Sequence, residues 1–364
     1  MHKTAAWPLT IIYAVLIVYA SLYPFAEWRN QGIAPWEFIS AAWPKYWTGF
    51  DVSINIAGYV PLGALLALSV IRTRFSRHPA LLATLCGAVL AWAMEALQSY
   101  LPSRVPSRED WLLNSLGTFV GAGAAILLEK LGAIDRWSQV RARWFVPHAR
   151  GGIVLLATWP LSLIFPAPIP LGLGQVWERL EQVFIQMLQN SPFLSWLPLK
   201  EASLHPLSPA TEMVCVALGL LIPCLLGFCI IRALHRRLAW LSMALCAGVV
   251  VSTFSATLTW GPEHAWAWLD LPAKVGLVLG FAAALALVAV PWRASAAILL
   301  LALGVYLSLL NQAPESPYFA QALQLWEQGR FIRFHGLSQW LGWLWPYAAL
   351  VYVTMFLVQR NPQK

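Results

Sequence analysis

Apolar residues in this chain come in long runs rather than in alternating or one-faced stripes. A helix that crosses a bilayer needs about 20 mostly apolar residues. About ten segments meet that criterion, near residues 8–25, 53–71, 79–98, 111–129, 151–167, 211–231, 238–258, 271–290, 293–310 and 337–358. The pattern predicts an all-α fold, a polytopic transmembrane bundle of about ten helices. Two stretches differ. In 174–190, Val176, Leu180, Val183, Phe184, Met187 and Leu188 recur at helical spacing while Glu178, Arg179, Gln182 and Gln186 fall elsewhere. That is the mark of an amphipathic helix lying in the membrane interface. Residues 318–335 repeat the pattern less regularly. The polar, basic stretch 131–150 reads as a cytoplasmic linker between a four-helix unit, 1–130, and a second unit of about six helices, 151–364, with almost no buried charge.

Composition sharpens this reading. Hydrophobic residues make up 59% of the chain and charged residues 11%, against about 25% charged in soluble domains. The 21 Trp residues suit a protein with two membrane–water interfaces. A net charge of +8 could suit nucleic acid, but the basic residues form no stripe on one face. They sort by loop instead. With the N-terminus cytoplasmic, the inner segments hold Lys3, Arg72, Arg74, Arg77, Lys130, Arg136, Arg141, Arg143, Arg150, Arg232, Arg236, Arg237, Arg293, Arg360 and Lys364, the larger share of the 24 Lys and Arg. The outer residues are fewer and lie in longer loops. The positive-inside rule therefore places both termini in the cytoplasm. The run from Pro8 to Phe25 is long for a signal sequence and lacks a small-x-small site, so it reads as a retained first helix.

The five Cys lie in apolar runs, without CxxC spacing. They indicate neither a disulfide framework nor a metal site. No P-loop, GxSxG or HExxH motif occurs, and no cofactor is expected.

Polar side chains inside membrane helices are costly, about 2.5–3.5 kcal/mol for a carboxylate at the bilayer centre. They concentrate in the first unit. One helix opens Asp51-x-x-x-Asn55-x-x-Gly58; another opens Asp110-x-x-x-Asn114-x-x-Gly117. Between them a helix ends Glu95-x-x-Gln98, followed by a loop carrying Arg104 and Arg108. Spacings of three and four share a helix face, so three helices carry acidic and amide groups at one level on the outward side. Gly58 and Gly63, like Gly117, Gly121 and Gly123, provide small faces for close helix approach, and Pro61 loosens the first of these helices.

Each group has a plainer reading beside the functional one. Asp51 and Asp110 suit helix N-caps, and Asn55 and Asn114 suit interhelical hydrogen bonds. Glu95 suits an ion pair with Arg104 or Arg108, or a ligand-binding or proton-handling role. Trp28, Trp36, Trp43 and Trp47 suit an aromatic belt or a sugar platform. Glu263 and His264, in an outer loop, read as solvated.

The combined pattern D-x-x-x-N-x-x-G-x-x-P-L-G, then E-x-x-Q, then an Arg-bearing loop leading to D-x-x-x-N-x-x-G-x-x-x-G, resembles the VanZ-like membrane proteins. The matching positions are Asp51, Asn55, Gly58, Pro61, Leu62, Gly63, Glu95, Gln98, Arg104 or Arg108, Asp110, Asn114, Gly117 and Gly121, and the resemblance spans residues 10–130. It implies a protein of the bacterial cytoplasmic membrane, in a family whose founding member is linked to glycopeptide, chiefly teicoplanin, resistance. It implies no particular biochemical activity.

Three functions follow as expectations. The outer polar cluster binds a polar headgroup of a lipid, a cell-wall precursor or a glycopeptide-like compound, so that membrane lipids and a lipid-linked or cell-wall small molecule are its partners and nucleic acid is not. Alternatively, the chain is a membrane-embedded enzyme acting on a lipid-linked glycan or phospholipid, with Glu95 as acid or base. A transporter is the third reading; the short direct repeat does not suit an inverted-repeat fold.

Overall fold

A computed structural model describes residues 6–23, 25, 27–41, 43, 49–147, 149–165, 167, 169–188, 208–312 and 332–358. Among these, regular structure is helical, apart from an isolated bridge between Phe145 and Ile231. The helices are α1 (Ala6–Leu22), α2 (Gly49–Thr73), α3 (Pro79–Gln98), α4 (Arg108–Lys130), α5 (Ala133–Trp144), α6 (Arg150–Ser162), α7 (Trp177–Leu188), α8 (Pro209–Ile230), α9 (Leu234–Trp260), α10 (Leu271–Leu287), α11 (Trp292–Leu310) and α12 (Ile332–Val358). Seven are long and apolar enough to cross a membrane, and α1 and α10 are apolar helices of 17 residues. The chain divides into two compact units, 1–139 and 140–364.

In the first unit α2 and α4 lie parallel and touch backbone to backbone. A Cβ on Gly63 would strike the Thr118 carbonyl, and one on Gly117 or Gly121 would strike the carbonyls of Ile56 or Val60. Gly63, Gly117 and Gly121 thus do what their spacing predicts. Gly58 and Gly123 do not: a Cβ at either would meet open space. They sit on faces turned away from the α2–α4 seam, one step out of register with it. α3 packs on α4 through Gly87, against the Thr118 side chain, and the Trp111 indole N–H donates to the Ala88 carbonyl at 3.0 Å. α1 closes the bundle. Its Thr10 shares a 3.0 Å hydrogen bond with the fully buried Ser69 of α2. At the far ends of α2 and α4, Arg72 pairs with Glu129 at 3.2 Å.

The second unit is built around α8, whose residues from Gly219 to Ile230 are all buried. A helix apolar on every side needs neighbours on every side, and α9, α10, α11 and α6 supply them. Ser208 caps α8 by accepting the Thr211 N–H at 3.2 Å, with Pro209 at the first helical position, where its missing N–H costs nothing. Gly261, at φ +89°, turns the chain sharply at the end of α9.

The expected span 151–167 is not one continuous helix. α6 stops at Ser162 after 13 residues, about 20 Å at 1.5 Å per residue, well short of a hydrocarbon core of about 30 Å. The Pro-rich sequence that follows cannot continue a helix. Residues 169–176 instead run as buried irregular backbone, which the bundle tolerates because side chains satisfy it. The Tyr306 hydroxyl accepts the Leu173 N–H and donates to the Leu171 carbonyl, both at 2.6 Å. Asn311 Oδ1 accepts the Val176 and Trp177 N–H groups at 3.1 and 3.2 Å. Leu171 itself sits at φ +58°, a strained backbone for a branched residue.

The second unit also holds a charge that the sequence pattern hid. Arg237 is 9% exposed. Its guanidinium donates to the carbonyls of Ile231, Val288 and Val290 at 3.0, 3.0 and 2.7 Å. Carbonyls at and just beyond helix C-termini lack intrahelical donors, and one arginine serves three of them.

The amphipathic segment 174–190 contains α7, which exposes Trp177, Leu180, Phe184 and Met187 along one stripe. Of 318–335, residues 318–331 lie outside the described residues and the rest begin α12. Part of the stretch 131–150 is helical rather than extended, as α5, and the division between the two units falls within it.

Candidate functional site

The polar groups of α2, α3 and α4 meet at the end of the first unit where α2 and α4 begin. The duplicated motif pairs across its two copies: Asn55 Nδ2, in the first, donates to Asp110 Oδ1, in the second, at 2.7 Å. α2 and α4 are parallel, so both motif copies lie at the same end of the pair, and the bond joins non-equivalent positions one helical turn apart in the motif.

Ser107 joins α3 to α4. Its backbone N–H donates to Glu95 Oε2 at 2.8 Å, and its hydroxyl donates to Glu109 Oε2 at 2.7 Å. The same hydroxyl oxygen accepts the Asp110 N–H at 3.3 Å. Ser107 is therefore the N-cap of α4, and Asp110 is not. Asp110 lies inside the first turn, where a carboxylate is still favoured by the helix dipole, and its side chain is released to meet Asn55. The signal was in the sequence as Ser107-x-x-Asp110, the spacing of a capping box.

Glu95 is buried at 3% exposure, and Glu109 and Asn114 are nearly as buried, at 6% and 7%. Arg108 lies beside Glu109, Nε to Oε1 3.7 Å, and its guanidinium stands 4.2 Å over the Trp43 ring. Trp43 itself is exposed, so the Arg108–Trp43 stack forms the rim of the cluster. Arg104 Nη2 donates to the Tyr23 carbonyl at 2.9 Å, closing the C-terminal end of α1. Gln98 does the same from α3, donating to the Ser21 carbonyl at 3.0 Å. Arg108 thus pairs with Glu109, an acid of the cluster, and Gln98 serves α1.

Tyr59, one turn beyond Asn55, belongs to the cluster and was not singled out from the sequence. The i, i+4 relation to Asn55 was the available signal. Its ring is buried, and it lies within electrostatic reach of both Glu95 and Asp110. Four polar atoms here lack a hydrogen-bond partner among the described residues: Arg108 Nε and Glu109 Oε1, which face each other as an ion pair, and the Tyr59 hydroxyl and Asn114 Oδ1, which do not. Asp51 falls in the first turn of α2, but its side chain lies outside the described residues, as does Trp47. Trp28 and Trp36 are exposed. The loop that carries Trp28 is anchored to the cluster's far side by the Arg29 N–H, which donates to the Tyr100 carbonyl at 3.0 Å, and by Gln31, which donates to the Ser99 carbonyl at 2.8 Å.

Chemically, the arrangement offers a guanidinium at the rim and acceptors below it. Neither curated proteins nor solved structures include a match to the chain. Residues 7–129 match the family model VanZ/LLP1, a span that holds α1 to α3, nearly all of α4, and every side chain of the cluster just described. Over that part of its length, about a third of the chain, it is similar to the VanZ/LLP1 family.

Proposed function

We propose that the first unit is a binding unit for a polar headgroup, carried by a lipid, a cell-wall precursor or a glycopeptide-like compound. The observation that carries this reading is the pair of buried, unpartnered polar atoms, Asn114 Oδ1 and the Tyr59 hydroxyl. An unsatisfied buried acceptor costs about 1–3 kcal/mol, so its retention calls for a partner that supplies a donor. Beside it, Arg108 offers a planar fork suited to phosphate or carboxylate. A headgroup with an anionic part and an N–H or O–H donor answers both.

The positive-inside distribution sets this end of the bundle on the outer face of a bacterial cytoplasmic membrane, with both termini in the cytoplasm. The exposed apolar stripe of α7 suits seating in the interface. Membrane lipids are then constant neighbours, and an effect on envelope-antibiotic susceptibility is the expected phenotype.

The catalytic alternative, with Glu95 as acid or base toward a lipid-linked glycan or phospholipid, draws on the depth of that carboxylate. Its engagement with the Ser107 amide suits a positioning role better. Binding is tested by thermal shift of the purified protein with undecaprenyl-phosphate-linked and peptide fragments. Asn114→Leu and Arg108→Ala are expected to abolish the shift. If both variants respond as the parent does, the binding proposal fails. An unchanged profile of lipid-linked species in a deletion strain would argue against catalysis.

A further inference from the structure

The second unit contains a cavity of about 460 Å³, framed by the start of α8, the last turns of α9, the start of α10 and the Pro-rich segment after α6. Its walls include the aromatic rings of Phe165, Trp260 and Trp268. Its polar groups are unevenly disposed. Ser255 and Thr259 also line it, but their hydroxyls already donate to the Ile164 and Ser255 carbonyls, at 2.7 and 2.8 Å. What remains are the carboxylates of Glu212 and Asp270, with Ser252 and the His264 imidazole also on the wall. Glu212 is half-buried, and its carboxylate has no hydrogen-bond or ion-pair partner among the described residues. Asp270 lies within electrostatic reach of it. Asp270 also caps α10, but through Oδ1 alone, which accepts the Ala273 N–H at 2.9 Å. The nearby Lys274 is exposed and does not line the cavity.

We infer that this cavity is a binding site for a lipophilic cation, an ammonium group on an apolar body. Two carboxylates at one side of an aromatic-walled space repel each other and favour a positive guest. Aromatic faces and carboxylates together form the usual surroundings of a bound ammonium. The apolar remainder of the wall receives the body of the guest, as ligand pockets of this size do. The cavity lies at the end of the unit opposite Arg232, Arg236, Arg237 and Arg293. The positive-inside rule turns that arginine end to the cytoplasm and opens the cavity toward the outer face. This site is independent of the polar cluster in the first unit.

The test uses the full chain in neutral maltoside detergent, with 4-phenylbutylammonium as probe. The matched neutral alcohol, 4-phenylbutanol, and the anion 4-phenylbutyrate serve as comparators. Calorimetry is expected to show saturable binding of the ammonium only, above an empty-micelle blank. The double variant Glu212→Gln, Asp270→Asn is expected to weaken it at least tenfold. Asn preserves the cap, since it serves that position as well as Asp does. Ala256→Leu, which fills the cavity and leaves both carboxylates, is expected to abolish binding. Three results would each overturn the inference: no saturable ammonium binding, equal binding of the alcohol, or full binding in either the charge-neutral or the cavity-filled variant.

Discussion

The two units use polar side chains to opposite ends. In the second, the best-connected buried polar groups repair the backbone. Arg237 serves orphan carbonyls near helix ends, while Tyr306 and Asn311 serve the irregular strand of chain after α6. In the first, polar side chains answer one another across α2, α3 and α4. Repair groups contribute mainly to stability. A network of side chains drawn from three helices to one end of the bundle suits a site.

That contrast can be broken most forcefully at Arg237. Replacement by Met keeps the apolar stem but strands three carbonyls, and charge-assisted hydrogen bonds are worth about 1.5–3 kcal/mol each. A loss of at least about 3 kcal/mol is expected, read as a large fall in thermal midpoint in detergent. A midpoint unchanged in Arg237→Met would show that the staple is dispensable.

Next comes the α2–α4 seam. Gly121→Leu forces the helices apart and should cost about 1–3 kcal/mol or more by overpacking. Gly58→Ala, facing open space, should be neutral or stabilising by up to about 1 kcal/mol, because Ala is the better helix former. Equal effects in the two variants would contradict the packing.

Asn55→Ala removes the bond to Asp110, for an expected loss of about 0.6–2 kcal/mol. Asn114→Leu removes an unanswered atom and should leave the midpoint within about 0.5 kcal/mol of the parent or above it. If Asn114→Leu proves the more damaging of the two, Asn114 is structural and the contrast between the units weakens. Smallest of all, Arg72→Ala breaks a solvent-facing pair and should change stability by less than about 0.5 kcal/mol.

Much of this architecture could be read from the chain. The duplicated Asp-x-x-x-Asn-x-x-Gly motif told that α2 and α4 bring polar groups to one end of the bundle, and small-residue spacing located the seam at Gly63, Gly117 and Gly121, though not at Gly58 or Gly123. What escaped were features decided by three-dimensional need. Arg237 reads like any cytoplasmic arginine until helix ends bring the carbonyls of Ile231, Val288 and Val290 around it. The sequence after α6 is apolar enough to suggest an unbroken helix, and hydropathy does not register that its prolines end it. Asp110 looked like a cap because Asp makes a good one, whereas Ser107, three residues earlier, took that place. Tyr59 was passed over because a tyrosine in an apolar helix carries no obvious chemistry until its hydroxyl is found buried without a partner.

The Ser107 node has a mechanical consequence. One residue latches Glu95 through its amide while its hydroxyl holds both Glu109 and the first turn of α4. Swinging Glu95 aside would strand that amide, at a cost of about 1–3 kcal/mol, and would tug on the same residue that starts the helix. A guest drawing on Glu95 must therefore come to the carboxylate where it stands. Any guest large enough to displace it would loosen the origin of α4 and be felt along the glycine seam, tens of ångströms of helix geared to a single serine.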